Sequence, residues 1–539
     1  MNWWRSLISS LLPGSPQPAP ASRLPADILD LLARRETVQI LVWLQRQLQS
    51  NPAAQEYPCL IRTARESGWP ERDAEKLEIL GLFYANRHPE ALRRSERYLE
   101  EEGFDPDIVI AAANAHFQLS RYEEAYRLLT TVAERNENVL AGRADLALLA
   151  SQICWAANRT PDMKRYLDIA RRLAPDDKVV ALCAHNAYFE IGDLAAFEQV
   201  RGELGQNAYD QKADGFTRAS VELAQDNYEE GFRLAEMRFE IVDAHRYFSK
   251  GLQGRSRWQG ESLAGKTVLV AAEQGLGDTI QMVRYLPQLA ETGAKRLIVE
   301  SQSETLTLLQ FNFPDIAILK QNFGHSPSIA FDTWIGMMSL PYVFKSTAQN
   351  IPGYAGYLRV PPDVAAYWHS RVAELSTGNL LRVGLAWSGR PTHRADRRRS
   401  IPFALMMDFV RTADADFFAL QTHVPPIHPA NLIDISDEMV TLADTAALIN
   451  EMDLVISVDT SVIHVAGAIG KEAWLLLPYR YEWRWSLEGE QNNWYDSVKV
   501  LRQKTHGDWN SVLDDAFGER LRAFAGRRME GRVKGHCPS

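Results

Sequence analysis

The sequence predicts a multidomain α plus α/β protein, in which an array of helical repeats precedes two α/β lobes. Three features predict this. The first half is rich in Ala, Leu, Glu and Arg and contains similar helical segments at recurring intervals. The second half alternates apolar strand-like runs with helices, and this alternation starts twice, as two parallel sheets require. The length of 539 residues also exceeds the roughly 100–200 residues of a single domain.

The helical array is predicted from segments that recur between residues 24 and 239. Their last residues are Leu92, Tyr126, Tyr166, Phe197 and Phe232, which are 34, 40, 31 and 35 residues apart. Residues 111–125 resemble the tetratricopeptide repeat (TPR), whose period is about 34 residues. Stacked helix pairs of this kind form an α-solenoid with a concave groove. We expect the groove to bind a protein or peptide segment, and a spacer or dimerisation arm is the alternative.

Two α/β lobes are predicted from the strand-like runs of the second half. The predicted strands cover residues 267–272, 296–300 and 316–319, and then 381–387, 416–420, 452–458 and 472–477. Such parallel sheets carry helices on both faces and bind ligands at the carboxyl ends of their strands. A helix is also predicted over residues 509–525.

These elements give the predicted domain boundaries. They are a flexible N-terminal segment (1–29), a TPR-like helical repeat domain (30–245), a linker (246–265), the first lobe (266–375), the second lobe (380–515), and a C-terminal helix end with a basic tail (516–539).

Composition excludes several classes of protein. The net charge of −10 argues against general nucleic-acid binding, which needs a basic excess. The four cysteines are widely scattered and match neither a metal site nor a disulfide framework, so we expect a cytoplasmic protein. No apolar run approaches the ~20 residues that span a bilayer, so we expect no transmembrane segment.

Two distant segments have the pattern of one anion-binding site. Residues 273–279 and 459–464 each follow an apolar strand and open a helix, whose first amides attract phosphate. Between them, residues 390–399 contain five arginines. We therefore predict that a phosphate-bearing ligand binds between the lobes. A nicotinamide- or flavin-dependent enzyme is the weaker alternative, because Gly275 and Gly277 are not followed by the third glycine of that fingerprint and Ile280 stands there instead.

The second half resembles bacterial glycosyltransferases of the heptosyltransferase type, which have the GT-B fold of two Rossmann-like domains. The resemblance covers roughly residues 267–513. It rests on Gly277-Asp278 ahead of Pro287, on residues 387–389 with 397–402, and on residues 459–467. Together with the helical array, the chain resembles bacterial TPR-containing glycosyltransferases, some of which modify flagellin or other proteins.

The resemblance implies a role for each motif. Asp278 matches the catalytic base of a Gly-Asp pair, in a glycine loop formed by Gly275 and Gly277. The alternative for Asp278 is a helix cap, and Glu273 is then the next candidate base. The segment 481–485 also resembles this family, and its aromatic side chains are expected either to line the sugar pocket or to pack in the core. The resemblance further implies that the helix over residues 509–525 crosses back onto the first lobe.

The remaining candidates contact the donor. We expect these residues to bind its phosphate: Arg399, Arg397, Thr460, Ser461, Val462, Ser388 and Gly389. We expect Gln421, Asp444, Asp459 and His464 to contact its sugar or nucleotide. Asp444 could instead cap a helix, Asp459 could hold its own loop, and His464 could be a packed core histidine. No Asp-x-Asp pair lies beside the arginine loop, so we expect transfer without a metal or other cofactor.

The predicted protein is an inverting, metal-independent glycosyltransferase. It would move a sugar from a nucleotide-sugar to a Ser or Thr hydroxyl of a protein held in the TPR groove, with flagellin as the acceptor that the resemblance suggests. One alternative is a heptosyltransferase-like enzyme of lipopolysaccharide or surface-glycan assembly. The other is a non-catalytic TPR scaffold. The sugar, and the choice between a nucleoside-diphosphate donor and a cytidine-monophosphate nonulosonate, stay open.

Overall fold

The computed structural model describes residues 24–36, 39–40, 43–44, 56–135, 137–204, 208–240, 252, 254–322, 329–376, 381–390, 396–480 and 482–534. Side chains are described for all of these except residues 56, 137, 208–214, 216, 397 and 529–534. Most of the predicted flexible N-terminal segment and the end of the basic tail therefore lie outside the described residues. The chain divides into two compact units, Met1–Tyr188 with Asp193–Leu204 and Phe189–Gly192 with Gly205–Ser539.

The first unit consists of consecutive α-helices. Their bounds are α1 Ala26–Ala33, α2 Glu56–Glu66, α3 Glu71–Tyr84, α4 His88–Glu102, α5 Pro106–Gln118, α6 Tyr122–Arg135, α7 Glu137–Ala141, α8 Ala144–Ala156, α9 Thr160–Leu173, α10 Lys178–Ile191 and α11 Leu194–Glu203. In α9 the buried residues Met163, Tyr166, Leu167 and Ala170 recur at the spacing of one helix face. This amphipathic pattern explains why the segment is helical and which face it buries. The predicted helical array is confirmed, and its assignment to tetratricopeptide repeats stays a prediction.

The last helix pair of the array belongs to the second unit. It comprises α12 Ala208–Ala224 and α13 Tyr228–Ala235, followed by a 3-10 turn over Glu236–Glu240. Tyr228 and Phe232 lie in the same apolar core as the lobes. Arg238 donates two hydrogen bonds of 2.8 Å to the carboxylate of Glu273 in the first lobe. These buried contacts explain why the structural division falls near Gly205, whereas the sequence predicted a repeat domain that ends at 245.

The first lobe contains a parallel sheet of four strands. They are β1 Thr267–Ala271, β2 Arg296–Ser301, β3 Ala317–Lys320 and β4 Thr333–Gly336, in the order β3-β2-β1-β4. The helices are α14 Leu276–Met282, α15 Leu286–Ala290, α16 Leu306–Asn312 and α17 Leu340–Val343. The three predicted strands are confirmed, and β4 is an addition. Strand order reverses at β1, and sheets of this kind bind ligands at the carboxyl end of the strand where the order reverses.

The second lobe contains a parallel sheet of six strands. They are β5 Leu381–Ala386, β6 Ala415–Ala419, β7 Leu432–Ile433, β8 Leu454–Val458, β9 Ala473–Leu477 and β10 Val498–Arg502, in the order β10-β9-β8-β5-β6-β7. Its helices are α18 Pro362–Leu375, α19 Asp396–Arg399, α20 Phe403–Thr412, α21 Leu442–Glu451 and α22 Ser461–Ala468. Strand order reverses between β5 and β8. The segments that follow these two strands therefore lie side by side at the edge where ligands bind in such sheets.

The C-terminal helices pack on the second lobe. They are α23 Trp509–Asp515 and α24 Leu521–Lys534, separated by an irregular turn over Ala516–Arg520. Trp509, Leu513 and Phe524 lie in the core of the second lobe, beside Phe417 of β6. The prediction that this segment crosses onto the first lobe is therefore wrong. Its apolar stripe covers the outer face of the second sheet, and Gly518 departs from helical geometry and breaks the predicted single helix.

The two lobes share one apolar core. It includes Val268 and Ile280 from the first lobe and Ala443, Ile463 and Trp494 from the second. Fully burying an aliphatic side chain such as Ile463 contributes about 1.5–3 kcal/mol, so the lobes are joined by substantial apolar packing. Among the described residues, no helix is long and apolar enough to cross a membrane.

Candidate active site between the two lobes

Asp278 lies at the start of the first helix after β1. The chain leaves β1 through Gln274, whose φ is 62°, and α14 begins directly after Gly275. The Oδ2 atom of Asp278 accepts a hydrogen bond of 2.8 Å from the Gly275 amide. The carboxylate therefore caps the helix from its third position, and its Oδ1 atom points to a second partner. Capping and a role as base are compatible, because they use different oxygens.

Gly277 allows the two lobes to approach closely at this point. A Cβ atom at this position would lie 2.6 Å from Cδ2 of His464 in α22. No side chain can be accommodated there without displacing the histidine. The predicted glycine loop thus places the first turn of α14 directly against α22 of the second lobe.

Arg484 of the second lobe binds Asp278 across this contact. Its Nη2 atom forms a salt bridge with Asp278 Oδ1, and its Nε atom donates to Gln281 Oε1 at 2.7 Å. Its Nη1 atom pairs with Glu482, and the guanidinium lies 4.1 Å from the ring centroid of Trp483. Burial opposes the charge of Arg484, but the carboxylates of Glu482, Asp278 and Asp459 outweigh it and raise the pKa of this guanidinium.

Glu482 is the second acid that shares Arg484. Burial raises the pKa of Glu482 to about 7, and the negative charges of Asp459 and Asp278 add to the increase while Arg484 opposes it. The side chain keeps 27% of its surface exposed, so it can exchange a proton with solvent. This group changes its charge near neutral pH within the crevice.

The second lobe contributes a helix start with free amides. Thr460 is the N-cap of α22, and its side chain makes no capping hydrogen bond to the helix. The amides of Ser461 and Val462 open this helix, so they are available to an anion. Asp459 precedes them and accepts a hydrogen bond of 3.2 Å from Trp485 Nε1. That contact supports the interpretation that Asp459 holds its own loop.

His464 is a buried, neutral histidine. Its Nδ1 atom lies 2.9 Å from the Tyr495 hydroxyl, and its Nε2 atom lies 4.0 Å from Asp459 Oδ1. Burial lowers the pKa of His464 well below its usual value, and the charges of Arg484 and Arg284 lower it further. With 4% of its surface exposed, His464 acts here as a packed histidine, and donor contact stays a prediction.

Arg399 lies beside the start of α22. Its Nη1 atom donates to the Asp459 carbonyl at 2.7 Å, and its Nε atom lies 3.4 Å from Asp396 Oδ1. Gly389 leaves room for it, since a Cβ atom there would lie 2.4 Å from Nη2 of Arg399. The predicted phosphate ligands Arg399, Gly389 and Thr460 therefore lie together.

The other arginines of the loop differ from Arg399. Arg398 forms a salt bridge of 3.0 Å with Glu190, and Arg390 is exposed. The side chain of Arg397 and all of Arg394 lie outside the described residues, so their predicted positions stay predictions.

Gln421 and Ser388 stabilise the turn after β5. Gln421 Oε1 accepts hydrogen bonds from the amides of Trp387 at 2.6 Å and Ser388 at 2.7 Å. Its Nε2 atom donates to Ser388 Oγ at 2.7 Å. The amide group of Gln421 therefore shapes the turn that faces Arg399, and direct contact with the donor stays a prediction.

Asp444 has the structural role that the sequence gave as its alternative. Its Oδ2 atom accepts from the amide and hydroxyl of Thr441, both at 2.8 Å, and so caps α21. Its Oδ1 atom accepts from Trp368 Nε1 at 3.2 Å. The carboxylate is used inside the protein, and the geometry does not direct it toward a ribose.

Glu273, the alternative base, is also used structurally. Both of its oxygens accept hydrogen bonds from Arg238 at 2.8 Å, and Oε1 also accepts from the Met338 amide at 3.0 Å. Only 3% of its surface is exposed. Glu273 therefore anchors the 3-10 turn after α13 to the first lobe, and it is not placed to reach an acceptor.

The sequence interpretation missed the central role of Arg484. Residues 481–485 were expected to supply aromatic side chains to a sugar pocket or to the core. Trp485 is fully buried, as the core interpretation requires, while Arg484 pairs with both Asp278 and Glu482. The signal in the sequence was the pair of charged residues, Glu482 and Arg484, between the aromatic residues of the segment 481–485. Among the described residues, no group of three His, Cys, Asp or Glu could hold a metal ion, and transfer without a metal stays a prediction.

The chain is similar to several known proteins. No protein-family model matches it. Protein FlbA of Caulobacter vibrioides is 27% identical over 461 residues, which are 78% of this chain and 74% of that protein. The solved E. coli ADP-heptose lps heptosyltransferase II is 13% identical with a TM-score of 0.36, over 49% of this chain and 99% of that one. The Thermobaculum terrenum O-GlcNAc transferase is 12% identical with a TM-score of 0.29, over 85% of this chain and 94% of that one. Both TM-scores lie below 0.5, so a function for the chain depends on its own residues.

Proposed function

We propose that the chain is a glycosyltransferase of the GT-B type that transfers a sugar from a nucleotide-sugar to a protein hydroxyl. The observation on which the proposal depends is the meeting of two elements in one crevice. Asp278 follows the switch point of the first sheet, and the start of α22 with Arg399 follows the switch point of the second. Such switch points are where α/β sheets bind their ligands.

Sugar transfer needs a base for the acceptor hydroxyl, and Asp278 has the properties of one. Its carboxylate is held by the Gly275 amide and by Arg484, so its position is defined before substrate binds. A positioned base contributes about 10²–10⁴-fold to a rate. In an inverting transfer, Asp278 would take the hydroxyl proton while the acceptor oxygen attacks the anomeric carbon and the nucleotide phosphate departs.

The departing phosphate needs stabilisation, and the second lobe offers two sources of it. The free amides of α22 contribute about 0.3–1 kcal/mol through the helix dipole. Arg399, which lies beside the same helix start, adds a charge-assisted hydrogen bond, and such bonds are roughly twice as strong as neutral ones. We propose that these groups act without a metal ion.

The acceptor is proposed to be a protein, because a helical array precedes the lobes. Helical repeat arrays form extended surfaces for protein segments. A Ser or Thr hydroxyl, with flagellin as one acceptor, fits the resemblance of the sequence. An acceptor that is instead a surface glycan would indicate the heptosyltransferase-like alternative.

Substitution of Asp278 tests the base. The full-length chain is incubated with isotope-labelled nucleotide-sugars, and with polypeptide and carbohydrate acceptors in separate reactions. Asp278→Asn should lower transfer at least about 10²-fold, the low end for a general base. Asp437→Asn replaces an exposed acid and should leave transfer unchanged. Near-normal transfer by Asp278→Asn would exclude Asp278 as the base.

Substitution of Arg399 tests the phosphate site. Calorimetric titration with nucleotide-sugar should show weaker binding by Arg399→Ala, by about 10-fold or more for a lost contact to a charged group. Arg522→Ala, on an exposed position of α24, is the matched control. Equal donor affinity in the two variants would contradict the assignment. No binding by the unchanged chain, to any nucleotide-sugar tried, would favour the scaffold alternative.

The acceptor can be found directly in cells. Mass spectrometry would compare proteins from source cells with and without the gene. A glycan mass that disappears from Ser or Thr sites of one protein identifies the acceptor. Loss of a surface glycan alone would support the glycan-assembly alternative.

A further inference from the structure

Arg484 has an unusual position for an arginine. Only 8% of its surface is exposed, and each of its three side-chain nitrogens has a partner: Asp278, Glu482 and Gln281. Two of these partners belong to α14 of the first lobe, whereas Arg484 itself belongs to the second. Burying a charge costs free energy unless well-placed partners surround it. Arg484 has such a partner at each side-chain nitrogen, so the position of its guanidinium is fixed.

Charged groups of both signs lie around Asp278, since Arg502 acts on Glu482 and Arg284 acts on His464. Glu482 and Asp459 are the other acids whose charges act on this cluster, and both act on Arg484. Burial lowers the pKa of His464 well below its usual value, so this histidine is neutral, and burial raises the pKa of the adjacent Tyr495. Neighbouring carboxylates raise each other's proton affinity, and an adjacent guanidinium lowers it. Arg484 is the arginine that pairs directly with Asp278, so its removal is expected to raise the proton affinity of this carboxylate.

We propose that Arg484 is a positioning residue for the transfer reaction, which pairs with the Asp278 carboxylate and fixes it between the lobes. This inference rests on the proposed role of Asp278 as base. Arg484 is shared with Glu482, so one guanidinium holds two acids. No substrate contact is required of Arg484.

Direct titration of Asp278 tests the inference without any activity. The full chain is labelled with carboxyl-¹³C aspartate, and the Asp278 resonance is identified by its absence from Asp278→Asn. In Arg484→Met the titration midpoint of this carboxyl should rise by about one pH unit or more, since a neighbouring arginine lowers an aspartate pKa by 1–3. Arg484→Lys, which keeps the charge, should give a smaller rise. An unchanged midpoint in Arg484→Met would overturn the inference.

A second pair of variants tests the inference even if Arg484→Met alone does not fold. Arg484→Met leaves two acids without their cation, so the same substitution is also made together with Glu482→Gln, which removes one of the two charges. The rise in the Asp278 midpoint should persist in this double variant, measured against Glu482→Gln alone. Its absence there would equally overturn the inference.

Transfer kinetics then separate the inference from the proposed function. Arg484→Met should lower kcat at least about 10-fold, leave the donor KM within about 3-fold, and move the acidic limb of the pH–rate profile upward. If Asp278→Asn abolishes transfer while Arg484→Met leaves kcat and the acidic limb of the pH–rate profile unchanged, the positioning role of Arg484 is contradicted and the base assignment stands. If Asp278→Asn retains transfer, the base assignment fails, and the inference fails with it.

Discussion

Replacing Glu482 with glutamine should change how the stability of the fold depends on pH. Burial, together with Asp459 and Asp278, raises the pKa of Glu482 from 4.5 to about 7. Between these two pH values, the folded chain keeps a proton that the unfolded chain has released. Each increase in pH within this window therefore favours the unfolded state. Below pH 4.5 both states are protonated, and above pH 7 both are ionised, so the effect is confined to the window.

The magnitude follows from the width of the window. The difference between 4.5 and about 7, at 1.36 kcal/mol per pH unit, corresponds to about 3 kcal/mol at most. Glutamine resembles the protonated carboxyl and does not titrate. Glu482→Gln should therefore match the unchanged chain near pH 4.5 and exceed its free energy of unfolding by up to about 3 kcal/mol at pH 8.

The assay is urea unfolding from pH 4.5 to 8.5, followed by tryptophan fluorescence in the transition of the second unit. Glu488→Gln is the matched control, because Glu488 is exposed in the same segment, and it should leave the pH dependence as it was. Parallel stability curves for Glu482→Gln and the unchanged chain would refute the reasoning. They would mean that Glu482 ionises in the folded chain as it does in the unfolded one.

Two further predictions concern the packing that holds the crevice. Gly277→Ala adds a methyl group 2.6 Å from His464 and should destabilise the chain by about 1–3 kcal/mol. Thermal melting would show this as a lower Tm, whereas Gly526→Ala, which meets no atom within 4 Å, should not lower it. Arg238→Met leaves the buried Glu273 without its cation and should cost about 3–5 kcal/mol in urea unfolding. Adding Glu273→Gln should restore part of the free energy of unfolding that Arg238→Met loses. Equal stability of the single and double variants would contradict the interpretation of Arg238 and Glu273 as a buried pair.

The sequence predicted the parts of the fold that depend on local pattern. Strands such as β1 and β8 are mostly apolar and buried, and their alternation with helices predicts two parallel sheets. The strand β10 was missed because charged residues interrupt its short apolar sequence, and β7 is too short at two residues to produce a pattern. The C-terminal helix was recognised, but not the lobe that it covers. Its apolar stripe shows that a face is buried and does not show against which sheet.

The candidate site was predictable where strand ends determine it. Asp278 and Asp459 both follow buried strands, and parallel topology brings such ends to the ligand-binding edge. Arg484 could not be placed in this way, because it lies in a segment without regular structure and its partner Asp278 is 206 residues away in sequence. Asp444 could have been assigned from sequence, since Thr441 and Asp444 form a capping box.

The arrangement around Arg484 reconciles two requirements that oppose each other in a base. An aspartate among other acids tends to keep its proton, while one paired with a single arginine binds protons too weakly to take one from a hydroxyl. Here one guanidinium serves both Asp278 and Glu482. Because Glu482 changes its charge near neutral pH, the negative charge that this guanidinium balances changes there as well.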